Sequence, residues 1–241
     1  MKARKILVSL AALALVAAIS IGGTLAYLTS TKSVKNTFTV GNIQMTLTET
    51  DITKDDGTRT ARTDKGNEYK LYPGQTYTKD PQVTIVGGSE DCYVRMLVEV
   101  ANIDKLKAAF PLVDGEGADI TENSKYYAAD GTFLIQYLCG DWNESAWPCT
   151  KVINNTTVQD SEGKDTQGAI YEFRFASPVA HAESDQTLPE LFKTIIVPGT
   201  VDNTALALLG QVEINVIGNA VQMKGFESNV DAAWAAFESQ N

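Results

Sequence analysis

Cys92-Tyr-Val-Arg-Met-Leu-Val-Glu-Val100 decides the fold class. Cys92, Val94, Met96, Val98 and Val100 fall on one parity; Tyr93, Arg95, Leu97 and Glu99 fall on the other. Side chains alternate across a strand, so this period-two pattern describes a strand with one face in a core. Cys92 stands on the apolar face and reads as a small core hydrophobe.

The same alternation recurs outward in both directions. Phe38 and Val40 alternate with polar residues, and after Gly41-Asn42 the pattern resumes on opposite parity at Ile43, Met45 and Leu47. A parity switch there predicts a bulge or sharp bend. Residues 49–70 are polar and read as a loop or a solvent-facing hairpin. Leu71-Tyr-Pro-Gly74 reads as a turn, and Val83 and Ile85 as a strand ending at Gly87-Gly88. Asn102 is placed to cap a short helix with Ile103, Leu106 and Phe110 on one face. Residues 133–138 and 150–158 read as a hairpin joined through a cysteine-containing loop. Tyr171, Phe173 and Phe175 mark another strand, 188–192 a helical turn, 194–197 a strand, and Val212, Ile214 and Val216 a last strand. Asn229 is placed to cap a C-terminal helix that docks through Val230, Trp234 and Phe237. Short strands separated by turns predict an all-β fold, an antiparallel sandwich or barrel with a few short helices.

The first 26 residues stand apart. Lys2, Arg4 and Lys5 precede an apolar run at 6–21, then Gly22-Gly-Thr-Leu-Ala26. This is the pattern of a secretory signal peptide cut between Ala26 and Tyr27, with an uncleaved membrane anchor as the alternative. Residues 37–241 then read as a single domain, with 27–36 as a segment before it. The whole chain of 241 residues carries 20 basic and 30 acidic side chains, a net charge of −10. Cleavage would leave 17 basic against 30 acidic, −13. Such a balance argues against nucleic acid as a partner, because phosphate binding needs a basic patch.

The search for chemistry is short. His181 is the only histidine, so no site needing two histidines forms within one chain, and His-Glu-x-x-His is absent. His181 reads as an exposed loop residue. No nucleotide-binding glycine spacing, cofactor motif or metal-ligand motif is present, leaving a loose surface calcium site as the open alternative to solvated loop charge. Export would place the three cysteines in an oxidising setting, where Cys139 and Cys149, ten positions apart, form either a disulfide or two thiols. Trp142 and Trp147, between them, are either contact residues or core.

Several of these segments resemble one family. Gly22 to Ala26 followed by Tyr27-Leu-Thr-Ser30 resembles the cleavage region of proteins processed by the SipW-type signal peptidase. Asn36-Thr-Phe-Thr-Val-Gly-Asn-Ile-Gln-Met45 is similar to the start of mature TasA and camelysin proteins. Leu71-Tyr-Pro-Gly-Gln-Thr-Tyr-Thr-Lys-Asp80 and the strand at 92–98 resemble the segments that follow. Leu209-Gly-Gln-Val-Glu-Ile214 and Asn219-Ala-Val-Gln-Met-Lys-Gly-Phe226, with Trp234, resemble the end of the chain in this family. The resemblance covers both ends and leaves out roughly 101–190. It implies a jelly-roll-like β-sandwich secreted by Gram-positive bacteria, a subunit of biofilm-matrix or cell-surface fibres; the missing zinc motif and the lone His181 add the expectation that the subunit is non-catalytic. Its partners would be copies of itself, other matrix proteins and the signal peptidase. The resemblance also implies that 27–36, with Tyr27, Leu28 and Val34 as apolar positions, is donated as a strand to the next subunit. The alternative for this segment is an N-terminal tail. The rival functions are a camelysin-like secreted metalloprotease and a monomeric surface binding module.

Overall fold

A computed structural model of the chain describes residues 37–40, 42–109, 139–197, 199 and 201–240. These residues build three antiparallel sheets. The first has the order β1 (Thr37–Val40), β2 (Ile43–Thr50), β5 (Gln82–Ile85), β10 (Gln186–Thr187), with β3 (Arg62–Thr63) paired to the far end of β2. A small second sheet joins β4 (Thr76–Thr78), β11 (Thr194–Ile196) and β7 (Cys139–Gly140). The third runs β12 (Glu213–Gln222), β6 (Cys92–Ala101), β9 (Asp165–Arg174), β8 (Cys149–Gln159). Short helices α1 (Ile103–Ala109), α2 (Asn203–Leu209) and α3 (Val230–Glu238) complete the described elements.

β6 has the alternation its sequence predicts. Cys92, Val94, Met96, Val98 and Val100 are all buried, and they meet Ala169, Tyr171 and Phe173 of β9 in the same core. Ile43, Met45 and Leu47 of β2 face them from the first sheet. The close approach is visible at Gly218 of β12, where an added Cβ would lie 2.5 Å from Met45 Cε and 3.6 Å from Leu47 Cβ. Two sheets thus share one apolar interior, a sandwich-like arrangement.

Several local expectations change. Val40 pairs with Ile43, so β1 and β2 form an antiparallel hairpin rather than one bulged strand. A hairpin reverses the chain and accounts for the parity switch equally well. The partner of 150–158 is β9; the rest of the hairpin expected at 133–138 lies outside the described residues. Leu188, Leu191 and Phe192 are buried, but 188–192 is not helical. Asn102 does not cap α1 through its side chain. It sits at φ +56°, and its Nδ2 donates to the Gln211 carbonyl at 2.8 Å. Helix α2, which the strand-based reading passed over, is capped by Asp202, whose side chain accepts from the Ala205 N–H. At α3 the Asn229 side chain accepts from the Ala232 N–H at 3.0 Å, as expected.

Candidate functional site: a sheet edge and two buried charge clusters

β8 closes the third sheet at one end, and among the described residues no strand lies on its outer side. It is 11 residues long. Most of it is open to solvent, including Ile153, one of the few exposed large apolar side chains. Its register against β9 shifts twice, between Cys149 and Lys151 and between Ile153 and Thr156. Asn155, inside the second shift, has φ +52°. Bulges of this kind bend an edge and limit indiscriminate pairing. β1 is the corresponding end strand of the first sheet, and residues 27–36 precede it directly.

On the outer face of the third sheet, α3 covers a cluster of charges. Arg95, Glu172 and Asn219 are nearly fully buried there. Arg95 Nη1 lies 2.7 Å from Glu172 Oε2 and 2.8 Å from Glu238 Oε1, while its Nε donates to Asn219 Oδ1 at 3.1 Å. The guanidinium also stacks 4.4 Å from the Trp234 ring centroid and 5.4 Å from that of Phe237. Arg174 bonds the second Glu172 oxygen at 2.7 Å and reaches Asp231 on α3. Burial would raise the Glu172 carboxyl, but the Thr150 hydroxyl and the Arg174 and Arg95 charges outweigh it and hold the group below its ordinary value.

The second cluster lies where β2 and β4 give way to loops. Asp80 is fully buried and accepts from the Thr50 N–H and hydroxyl, both at 2.7 Å, and from Arg62 Nη1 at 3.1 Å. Beside it, the buried pair Lys79 and Glu49 meet at 2.8 Å. The other Glu49 oxygen accepts from Asn67 Nδ2, also at 2.8 Å. Asn67 Nδ2 donates as well to the Thr50 carbonyl, and Asn67 Oδ1 accepts from the Ile52 N–H at 3.1 Å. Tyr69 adjoins this cluster and donates its hydroxyl proton to the Thr78 carbonyl. Burial raises the Tyr69 phenol well above its ordinary value, and the Glu49 charge adds to that rise.

The residues singled out from sequence fall elsewhere. Ala26, Tyr27, Leu28 and Val34 lie outside the described residues. Of the two readings left open for Cys139 and Cys149, a disulfide or two thiols, the structure has the thiols, on different sheets. Cys139 sits on β7 of the second sheet, opposite Ile195, whereas Cys149 begins β8 of the third, opposite Phe173. Burial pushes the Cys139 thiol up to about 12, and the Cys149 thiol points to the Lys151 carbonyl at 3.8 Å. Trp147 is fully buried and donates to the Pro189 carbonyl, and Trp142 packs edge-on against Phe173 at 5.1 Å. Both tryptophans therefore belong to the packing of the cysteine loop. His181 is half exposed. Its Nδ1 lies 2.8 Å from the Ser89 carbonyl and its Nε2 lies 3.3 Å from Glu183. The Ser89 carbonyl and then Glu183 raise its pKa, because both favour the protonated ring.

Arg95, Glu172, Glu49, Lys79 and Asn67 were missed. Arg95 stands on the polar parity of β6, and its cover comes from a helix more than 130 positions away. Lys79 follows β4 directly, and Asn67 lies in a segment whose composition reads as solvated loop. No family model, curated protein or solved structure matches this chain.

Proposed function

We propose that this chain is a secreted, non-catalytic structural subunit of extracellular matrix or cell-surface fibres, built on a jelly-roll-like sandwich and assembling with copies of itself by strand addition. The carrying observation is the long solvent-facing edge at β8, on whose outer side no strand lies among the described residues. An open edge offers backbone donors and acceptors that a second extended chain satisfies. The donor is the segment at 27–36, freed by cleavage after Ala26. Its ten residues, at about 3.3 Å each, span about 33 Å, a match in length for the 11 residues of β8. The segmental resemblance to TasA and camelysin proteins supports the same reading, as does a leader suited to a SipW-type peptidase.

The test compares purified protein beginning at Tyr27 with protein beginning at Thr37, by light scattering against concentration and by negative-stain electron microscopy. The reading expects fibres from the longer form alone. An Ile153→Lys variant of the longer form should assemble poorly, since a lysine on an edge opposes pairing. Monomers from both lengths, at all concentrations, would reject the reading.

A further inference from the structure

The Lys79, Glu49 and Asn67 side chains form an arrangement with its own chemistry. An amine and a carboxamide are held on the two oxygens of one buried carboxylate, Lys79 Nζ on Oε2 and Asn67 Nδ2 on Oε1, each at 2.8 Å. The orientation of the carboxamide is fixed from both ends. Its nitrogen faces two acceptors, Glu49 and the Thr50 carbonyl, and its oxygen faces a donor, the Ile52 N–H. Lys79 and Glu49 are both buried. We propose that Lys79 and Asn67 join in an intramolecular isopeptide bond, formed by the protein itself with Glu49 as the proton carrier.

Each component of an acyl transfer is present. Glu49 takes a proton from the Lys79 ammonium and leaves a neutral amine. A turn of the Lys79 side chain brings Nζ off Oε2 and onto Cγ of Asn67. As the Nζ–Cγ bond forms, the carbonyl electron pair moves to Oδ1, where the Ile52 N–H stabilises the developing charge. Glu49 delivers its proton to Nδ2, the Cγ–Nδ2 bond breaks as the electron pair returns from oxygen, and ammonia departs. Ammonia takes up the second proton shed by Nζ. The products are one secondary amide and one ammonium ion, with charge and atoms balanced and no change of oxidation state. Burial of Lys79 and Glu49 beside the half-buried Asn67 limits the access of water, the competing nucleophile. Tethering amine, carbonyl and proton carrier in one site supplies the proximity that such an unactivated amide needs.

The bond would close the chain between positions 67 and 79 and fasten the polar loop to the residue after β4. It does not depend on the fibre reading, since the reaction is internal to one subunit.

Mass spectrometry of the folded, purified protein tests it. The intact mass should fall short of the sequence mass by one ammonia. Tryptic digestion should yield the peptide 66–70 covalently joined to the peptide 71–95, with no cleavage after Lys79. Glu49→Gln and Lys79→Arg should restore the full mass and separate the peptides, with circular dichroism confirming that each variant folds. An Asn67→Asp variant should form the same bond with loss of water instead of ammonia. Full mass with separate peptides from folded wild-type protein would overturn the proposal. So would an ammonia deficit without the joined peptide, because a backbone succinimide at Asn67 produces that deficit alone.

Discussion

Arg95 and Asp80 anchor two buried charge clusters that solve the same problem in different ways. The Asp80 cluster is local: Glu49, Thr50, Arg62, Asn67 and Lys79 lie within about thirty positions, and they pin a polar loop to the ends of β2 and β4. The Arg95 cluster is long-range, and its farthest ion pair, to Glu238, bridges 143 positions. Its apolar surroundings form a satellite of Val221, Ala233 and Trp234 with Tyr93, Phe226, Val230 and Phe237, separate from the sandwich interior. Loop-closure entropy favours the local cluster forming first. The helix α3, held to the sheet by a small apolar patch and several charge contacts, is then the element whose docking depends most on electrostatics.

The contrast can be broken most sharply at Arg95. Arg95→Leu removes the guanidinium and leaves Glu172 buried with Arg174 as its remaining charged partner beside the Thr150 hydroxyl, and it also strips the stack beneath Trp234. A loss of about 3–5 kcal/mol of stability is expected from breaking such a pair, read by urea unfolding. Asp80→Ala should cost less, about 2–3 kcal/mol, although two hydrogen bonds at Thr50 go with it. Arg62 keeps 21% of its side-chain surface in water and can rehydrate when its partner is gone. Equal losses at the two sites would remove the distinction.

Acid should act on the Arg95 cluster through Glu172. Glu172 is held below its ordinary value of 4.5, so its contribution is complete above that pH. Below it the unfolded chain takes up the proton first, and stability falls with pH until the folded group also titrates. Undocking of α3 should therefore be detectable by Trp234 fluorescence as the pH drops below about 4.5, and Glu172→Gln should flatten that response. The smallest effect is expected at Asp231. This carboxylate contacts Arg174 but is 82% exposed, and Asp231→Asn should change stability by about 0.5 kcal/mol or less in the same unfolding experiment.

Reading the sequence recovered what periodicity encodes. The inner face of β6, the strand at 82–85 and the Asn229-capped helix each follow from a pattern within ten residues. Pairing was less legible. The β1–β2 hairpin and the β8–β9 pair depend on where the chain reverses, and alternation alone is silent on that. Asp202 before Asn-Thr-Ala-Leu-Ala-Leu-Leu209 was a readable cap for α2, passed over because the surrounding segments read as strands. The buried charges were the least legible of all. Arg95, Lys79 and Glu49 have the composition of a solvated surface, and their burial arises from elements that a local window does not contain.

Hydrogen exchange along β8 tests the central claim most directly. Protein beginning at Tyr27 would be measured by mass spectrometry below and above its assembly concentration. Strand addition predicts that outward-facing backbone amides within 151–159 exchange rapidly in the monomer and become protected on assembly, while the inner strand β6 stays protected in both states. Assembly that leaves β8 exchanging as in the monomer would contradict the account.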